Sequence, residues 1–131
     1  MSPDDLIVVD RSWGELRHHR DALVDRLTAA FNAVDPPDLA EARARWLVDS
    51  ISELVGLLAA PSELGAHARR LAATWPQRVP VPSWRVDGRA WMSAARDLSP
   101  TWTTRCDRAW RRAWLLLSDV LAEESPSPFA R

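Results

Sequence analysis

Apolar residues recur along this chain at the three- and four-residue spacing of helices, and no stretch alternates convincingly as a strand. The pattern predicts five helices. The first opens at Ser12, where Ser12 and Glu15 form an S-x-x-E capping box. It runs to about Val34, with Leu16, Leu23, Leu27, Phe31 and Val34 on its inner face, and the Asp35–Pro37 turn stops it. Asp38 and Glu41 mark a second N-terminus, followed by a stripe of Leu39, Ala42, Trp46, Leu47, Ile51, Leu54, Val55 and Leu58.

Pro61 and Ser62 begin a third helix, with Leu64, Ala68, Leu71, Ala72 and Trp75 inward. Arg78 to Pro82, RVPVP, must be extended, because each proline restricts itself and its predecessor. A fourth helix covers about Ser83 to Leu98, with Trp84, Asp87, Gly88, Trp91, Ala95 and Leu98 on one side. The fifth covers about Thr103 to Ala122 and presents Cys106, Ala109 or Trp110, Ala113 or Trp114, Leu117 and Leu121. The EESPSPFAR tail is expected to be disordered, which leaves one helical domain over 1–123 and a tail over 124–131.

Composition narrows the function classes. With 131 residues and 47% apolar content the chain can bury a sizeable core. Its net charge of −1 gives no field to recruit nucleic acid or an anionic membrane. One cysteine, Cys106, excludes an intrachain disulfide and reads as a small buried hydrophobe. MSPDDLIVVD lacks a signal-peptide pattern, and no segment has the ~20 apolar residues of a membrane span, so a cytoplasmic protein is expected. All 17 basic residues are Arg and eight residues are Trp, while Tyr and Lys are missing. That bias fits a high-GC genome and is not by itself a ligand signal; each indole still needs a place to bury its ring.

Four stretches, taken in order, resemble bacterial single-domain globins and the globin domain of flavohaemoglobins. LSPTWTTRCDRAWRRAW resembles the entry into the last globin helix, with Trp102-Thr103 and Ala109-Trp110 at the family's spacing. SWRVDGRAW is similar to the start of the preceding helix, which carries an aromatic and, four residues on, a glycine: Trp84 and Gly88. LVGLLAAPSELGAHARRLAATW is similar to the end of the distal helix and the whole proximal helix. RSWGELRHHRDALVDRLTAAF resembles the first two helices, so that the likeness spans about Val8 to Ala122. It implies an all-α, globin-like fold of about five to six helices.

The departures from that family carry the functional reading. By the resemblance, the proximal histidine that binds haem iron falls at Trp75, the distal glutamine or histidine at Arg43, and the distal tyrosine at Leu27. The loop before the distal helix, which supplies a phenylalanine against the porphyrin, is shortened to about DPPDLAE. An indole nitrogen only donates and offers iron no lone pair. Haem ligation is therefore expected to be lost, with no cofactor in its place.

What fills the old haem cavity is open between two readings. Asp87 lies three residues from Trp84 and four from Trp91, on an inward face, where an uncompensated carboxylate is costly. Arg43 is placed to approach it across the cavity. Either these two are handles in a ligand pocket walled by Trp75, Trp84, Trp91, Leu27 and Leu47, or they form a compensating ion pair in a collapsed, Trp-filled core. The first hypothesis is thus a haem-free binding protein, monomer or homodimer, for a small organic ligand or a protein partner, with no nucleic acid or membrane involved. An alternative is a cofactor-independent enzyme of small-molecule biosynthesis using Asp87 as acid or base. A third is a haem protein with atypical ligation, for instance by His67.

Weaker features get bland readings. His18 and His19 face solvent, and the three histidines with the one cysteine show no metal-ligand spacing. RCDRAWRRAW reads as a helix with Trp inward and Arg outward. No phosphate loop or nucleophile motif occurs.

Overall fold

The computed structural model describes residues 1–75 and 84–124, with side chains over 1–75 and 86–120. The described residues form six α-helices and one 3₁₀ turn, and no strand. The helices are α1 (Pro3–Leu16), α2 (Arg20–Phe31), α3 (Pro37–Val55), α4 (Pro61–Ala72), α5 (Trp84–Leu98) and α6 (Thr104–Glu124); the 3₁₀ turn, Arg17–His19, joins α1 to α2. The all-α expectation is met.

The helix starts differ from the expected ones. α1 begins ten residues before Ser12, at a capping box made by Ser2 and Asp5 with Pro3 in the first turn. Ser12 lies inside that helix. Its hydroxyl donates back to the Val8 and Val9 carbonyls at 2.8 and 3.1 Å and accepts the buried Trp110 indole N–H at 2.7 Å. The S-x-x-E match at Ser12 is therefore a tertiary hydrogen-bond site and not a cap. The single helix expected up to Val34 is two helices, bent at Arg17, His18 and His19, none of which is buried. Val34 lies beyond the end of α2 and is 69% exposed, not inward.

α3 starts at Pro37, whose missing N–H costs nothing in a first helical turn, and Asp38 sits within that turn as a carboxylate near the positive helix end. α4 likewise starts at Pro61 and carries Arg69 and Arg70 in its last turn. It ends at Ala72, so Trp75 follows the helix instead of closing it. α6 includes Glu124, one residue past the expected domain end. RVPVP and residues 125–131 lie outside the described residues.

α2 packs most extensively on α3 and also on α5; α6 packs on α1, α4 and α5; α3 packs on α4. Their apolar stripes merge into one core that includes Leu16, Leu23, Leu27, Phe31, Leu47, Ile51, Leu54 and Leu64. Five indoles cluster within it. Trp91 is central, with ring centroids of Trp110 at 5.7 Å, Trp13 at 5.9 Å and Trp114 at 6.0 Å; Trp102 lies 6.5 Å beyond Trp110. These offset and tilted contacts are the preferred aromatic geometries. Gly88 is required here. A Cβ on it would stand 2.5 Å from the Trp114 indole nitrogen, so only glycine lets that ring cross α5 so closely. No described helix is long and apolar enough to cross a membrane.

Candidate functional site

Asp87 and Arg43 do meet. Asp87, in the first turn of α5, accepts from Arg43 Nη2 at 2.6 Å, and both side chains are almost wholly buried. Arg43 comes from the buried face of α3, four residues before Leu47 on the same stripe. A third member was not foreseen. Asp35, in the turn after α2, accepts from Arg43 Nη1 at 3.0 Å, and its side chain is only 7% exposed. The guanidinium carbon sits 4.6 Å from the centre of the Phe31 ring, a cation–π contact. Arg43 thus ties three segments together: the end of α2, α3 and α5. The D-P-P turn was legible as a helix stop, but nothing in its spacing singled out Asp35 as a buried partner.

Burial pushes the Asp87 carboxyl up from 3.8 to about 6, against the opposing pull of the Arg43 charge and hydrogen bond, with the Asp35 charge adding to the rise. A carboxyl whose folded pKa is raised binds its proton more tightly when folded. Its contribution to stability is therefore complete below about pH 4 and is lost as pH rises to about 6. The span corresponds to about 3 kcal/mol. Urea denaturation of the parent and Asp87→Asn from pH 4 to pH 7 should show the parent losing stability relative to the variant over this window. Parallel curves would contradict the burial of the carboxyl. The carboxyls of Asp5 and Asp107 shift the other way, held down chiefly by hydrogen bonds from Arg112 and Arg111 respectively, so their effects fall below pH 4.

The other expected pocket residues do not gather around an opening. Leu27, Leu47 and Trp91 are packed in the core with at most 1% exposure. Trp75 is half-buried. It meets Trp46 edge-on, with ring centroids 4.5 Å apart. Trp46 in turn donates its N–H to Thr74 Oγ1 at 3.0 Å and to the Leu71 carbonyl at 3.3 Å, which pins the end of α4 to α3. Trp84 opens α5, and its side chain lies outside the described residues.

The largest of the described grooves, about 500 Å³, lies between α5 and α6. Its floor is Gly88, Met92 and the edge of Trp114; Arg89, Arg96, Arg111 and Leu115 form the rim. Of the expected pocket residues whose side chains are described, none lines it. Its signal in the sequence was the Arg-Trp interleaving of RCDRAWRRAW, which places Trp110 and Trp114 inward and the arginines outward, as expected. The contribution of α5 to the same surface was not visible, because Met92 and Arg96 belong to a face that carries no distinctive residue type.

The remaining candidates lie elsewhere. His18 and His19 are exposed, as expected. His67, on α4, has Nδ1 2.7 Å from Arg70 Nη2 and Nε2 3.9 Å from Glu53. Cys106 is half-buried, not buried, and lines a second groove of about 260 Å³ with Ile7, Ser12 and Thr103. Among the described residues no group of three or more His, Cys, Asp or Glu could hold a metal ion. No family model matches the chain, and no curated protein or solved structure resembles it closely enough to count as a match.

Proposed function

We propose that this is a haem-free, globin-like binding protein that takes a small organic ligand in the α5–α6 groove instead of the position where a globin holds haem. The residues at the old site do not fit haem. Trp75, at the position of the iron ligand, has no lone pair to give, and its ring is engaged with Trp46. Arg43 and Asp87, which would face the porphyrin, direct their hydrogen bonds at each other and at Asp35. An acid or base must reach its substrate, and Asp87 is 1% exposed, which weighs against the enzymatic alternative. The observation that carries the reading is the groove: its volume falls in the range of roughly 300–1,000 Å³ typical of small-molecule sites, and it pairs an apolar floor with a few polar groups.

Native mass spectrometry of the protein purified from its own host, followed by titration with haemin, tests this. The expected result is a bound small molecule that Leu115→Asp releases, with no sharp Soret band on titration. A stoichiometric haem complex would overturn the haem-free reading and favour His67 as ligand. A co-purifying molecule retained by Leu115→Asp would move the site away from the groove.

A further inference from the structure

We propose that the α5–α6 groove selects organic anions with a flat or apolar body, the negative group held by Arg89, Arg96 and Arg111 and the body laid on Trp114 and Met92. This rests on the groove being the ligand site. Among the described residues, the lining contains three guanidinium groups and no carboxylate, in a chain whose net charge is −1. One acidic residue stands behind it. Asp107 accepts from Arg111 Nε at 2.7 Å and lies 3.6 Å from Arg96 Nη2, so it draws together a cation from each of the two helices. Both arginines remain more than half exposed. One carboxylate cannot neutralise two guanidiniums, and Arg89 makes no ion pair among the described residues. The groove therefore keeps an excess of about two positive charges by this count of named groups.

The floor supplies the second half of the recognition. Met92 and Trp114 are 6% and 7% exposed, so what they present is a small apolar face and not a deep cavity. Gly88 lets the Trp114 indole lie close against α5. Leu115, 64% exposed on the rim, extends it. Planar guanidinium forks suit carboxylate, sulfonate or phosphate oxygens, and the apolar edge of an indole beside a thioether suits the apolar body of such an anion. Since the groove is open, it covers one side of its ligand, which fits a small molecule binding reversibly.

Two fluorescent probes of similar shape separate this inference from the reading beneath it: anionic 1-anilinonaphthalene-8-sulfonate and its neutral relative N-phenyl-1-naphthylamine. Each is titrated into the full chain while the Trp114 indole N–H signal, assigned with Trp114→Phe, is followed by NMR. The expected result is a saturable shift of that signal by the anion, with affinity at least tenfold above that for the neutral probe. Arg89→Gln, a change of an exposed residue, should weaken the anion about fivefold to tenfold and leave the neutral probe and the melting temperature unchanged. Equal binding of both probes at Trp114 would overturn the anion selectivity but leave the groove as a ligand site. Failure of both to shift Trp114 would overturn the site itself. Equally tight binding of tetraglutamate would show that charge alone is read, and would overturn the requirement for an apolar body.

Discussion

Arg43→Met is expected to lower stability by about 3–5 kcal/mol at neutral pH, the range for stranding a buried charge. The change removes the guanidinium that, among the described residues, serves both Asp35 and Asp87, two carboxyls with 7% and 1% side-chain exposure. It also removes the cation over the Phe31 ring. Asp87→Asn alone should cost less, because Arg43 keeps Asp35 at 3.0 Å. The double change Arg43→Met with Asp87→Asn should recover part of the Arg43→Met loss, and adding Asp35→Asn should recover more. This asymmetry distinguishes a three-membered network from a simple pair, for which the double change would restore nearly everything. Urea denaturation of the series at pH 7 measures it. Losses under 0.5 kcal/mol for Arg43→Met would place the guanidinium in water. The loss should also shrink toward pH 4, where Asp87, titrating at about 6, is already neutral.

Trp91→Ala should cost about 3–5 kcal/mol. Trp91 is fully buried and touches three other indoles, so its removal opens a cavity at the centre of the aromatic cluster and deprives Trp13, Trp110 and Trp114 of a shared neighbour. Trp75→Ala should cost less, about 1–2 kcal/mol, since Trp75 is only half-buried. Thermal or urea unfolding gives the ranking, and the near-ultraviolet circular dichroism of the coupled indoles should collapse with Trp91→Ala while the helical signal persists. A larger loss for Trp75 than for Trp91 would refute the placement of the two rings.

The Arg43–Asp87 pair could be read from the sequence, though not its purpose, and the α5–α6 groove could not. Helical spacing put Asp87 on the same inward face as Trp91, and that placement holds. The globin likeness brought Arg43 to the same region, and the two side chains meet at 2.6 Å. The ring of apolar pocket residues around them did not follow. Leu27 and Leu47 were expected to wall a space, but they close it, because a stripe at helical spacing says only that a face is buried and not whether its partner is protein or ligand. Trp75 shows the same limit. Its inward position is real in part, but the helix stops three residues earlier and its ring goes to Trp46, on a helix some thirty residues away in sequence.

What the sequence determined by itself is local: five helical segments with an apolar period or a start signal, the proline that opens α4, and an α6 with indoles on one side and arginines on the other. Each depends on neighbours within a turn or two, where periodicity and capping chemistry act. The expected start at Ser12 is the exception, because an S-x-x-E match also occurs where a serine inside a helix has a tertiary partner. Ser12 had one in Trp110, 98 residues on. Tertiary structure alone decided that Arg43 would bind two aspartates and not one, that five of the described indoles would share one cluster around Trp91, and that α5 and α6 would leave an arginine-rimmed groove over Trp114. These contacts join residues tens of positions apart. Their geometry depends on how whole helices cross, and no pattern within a single helix encodes that crossing.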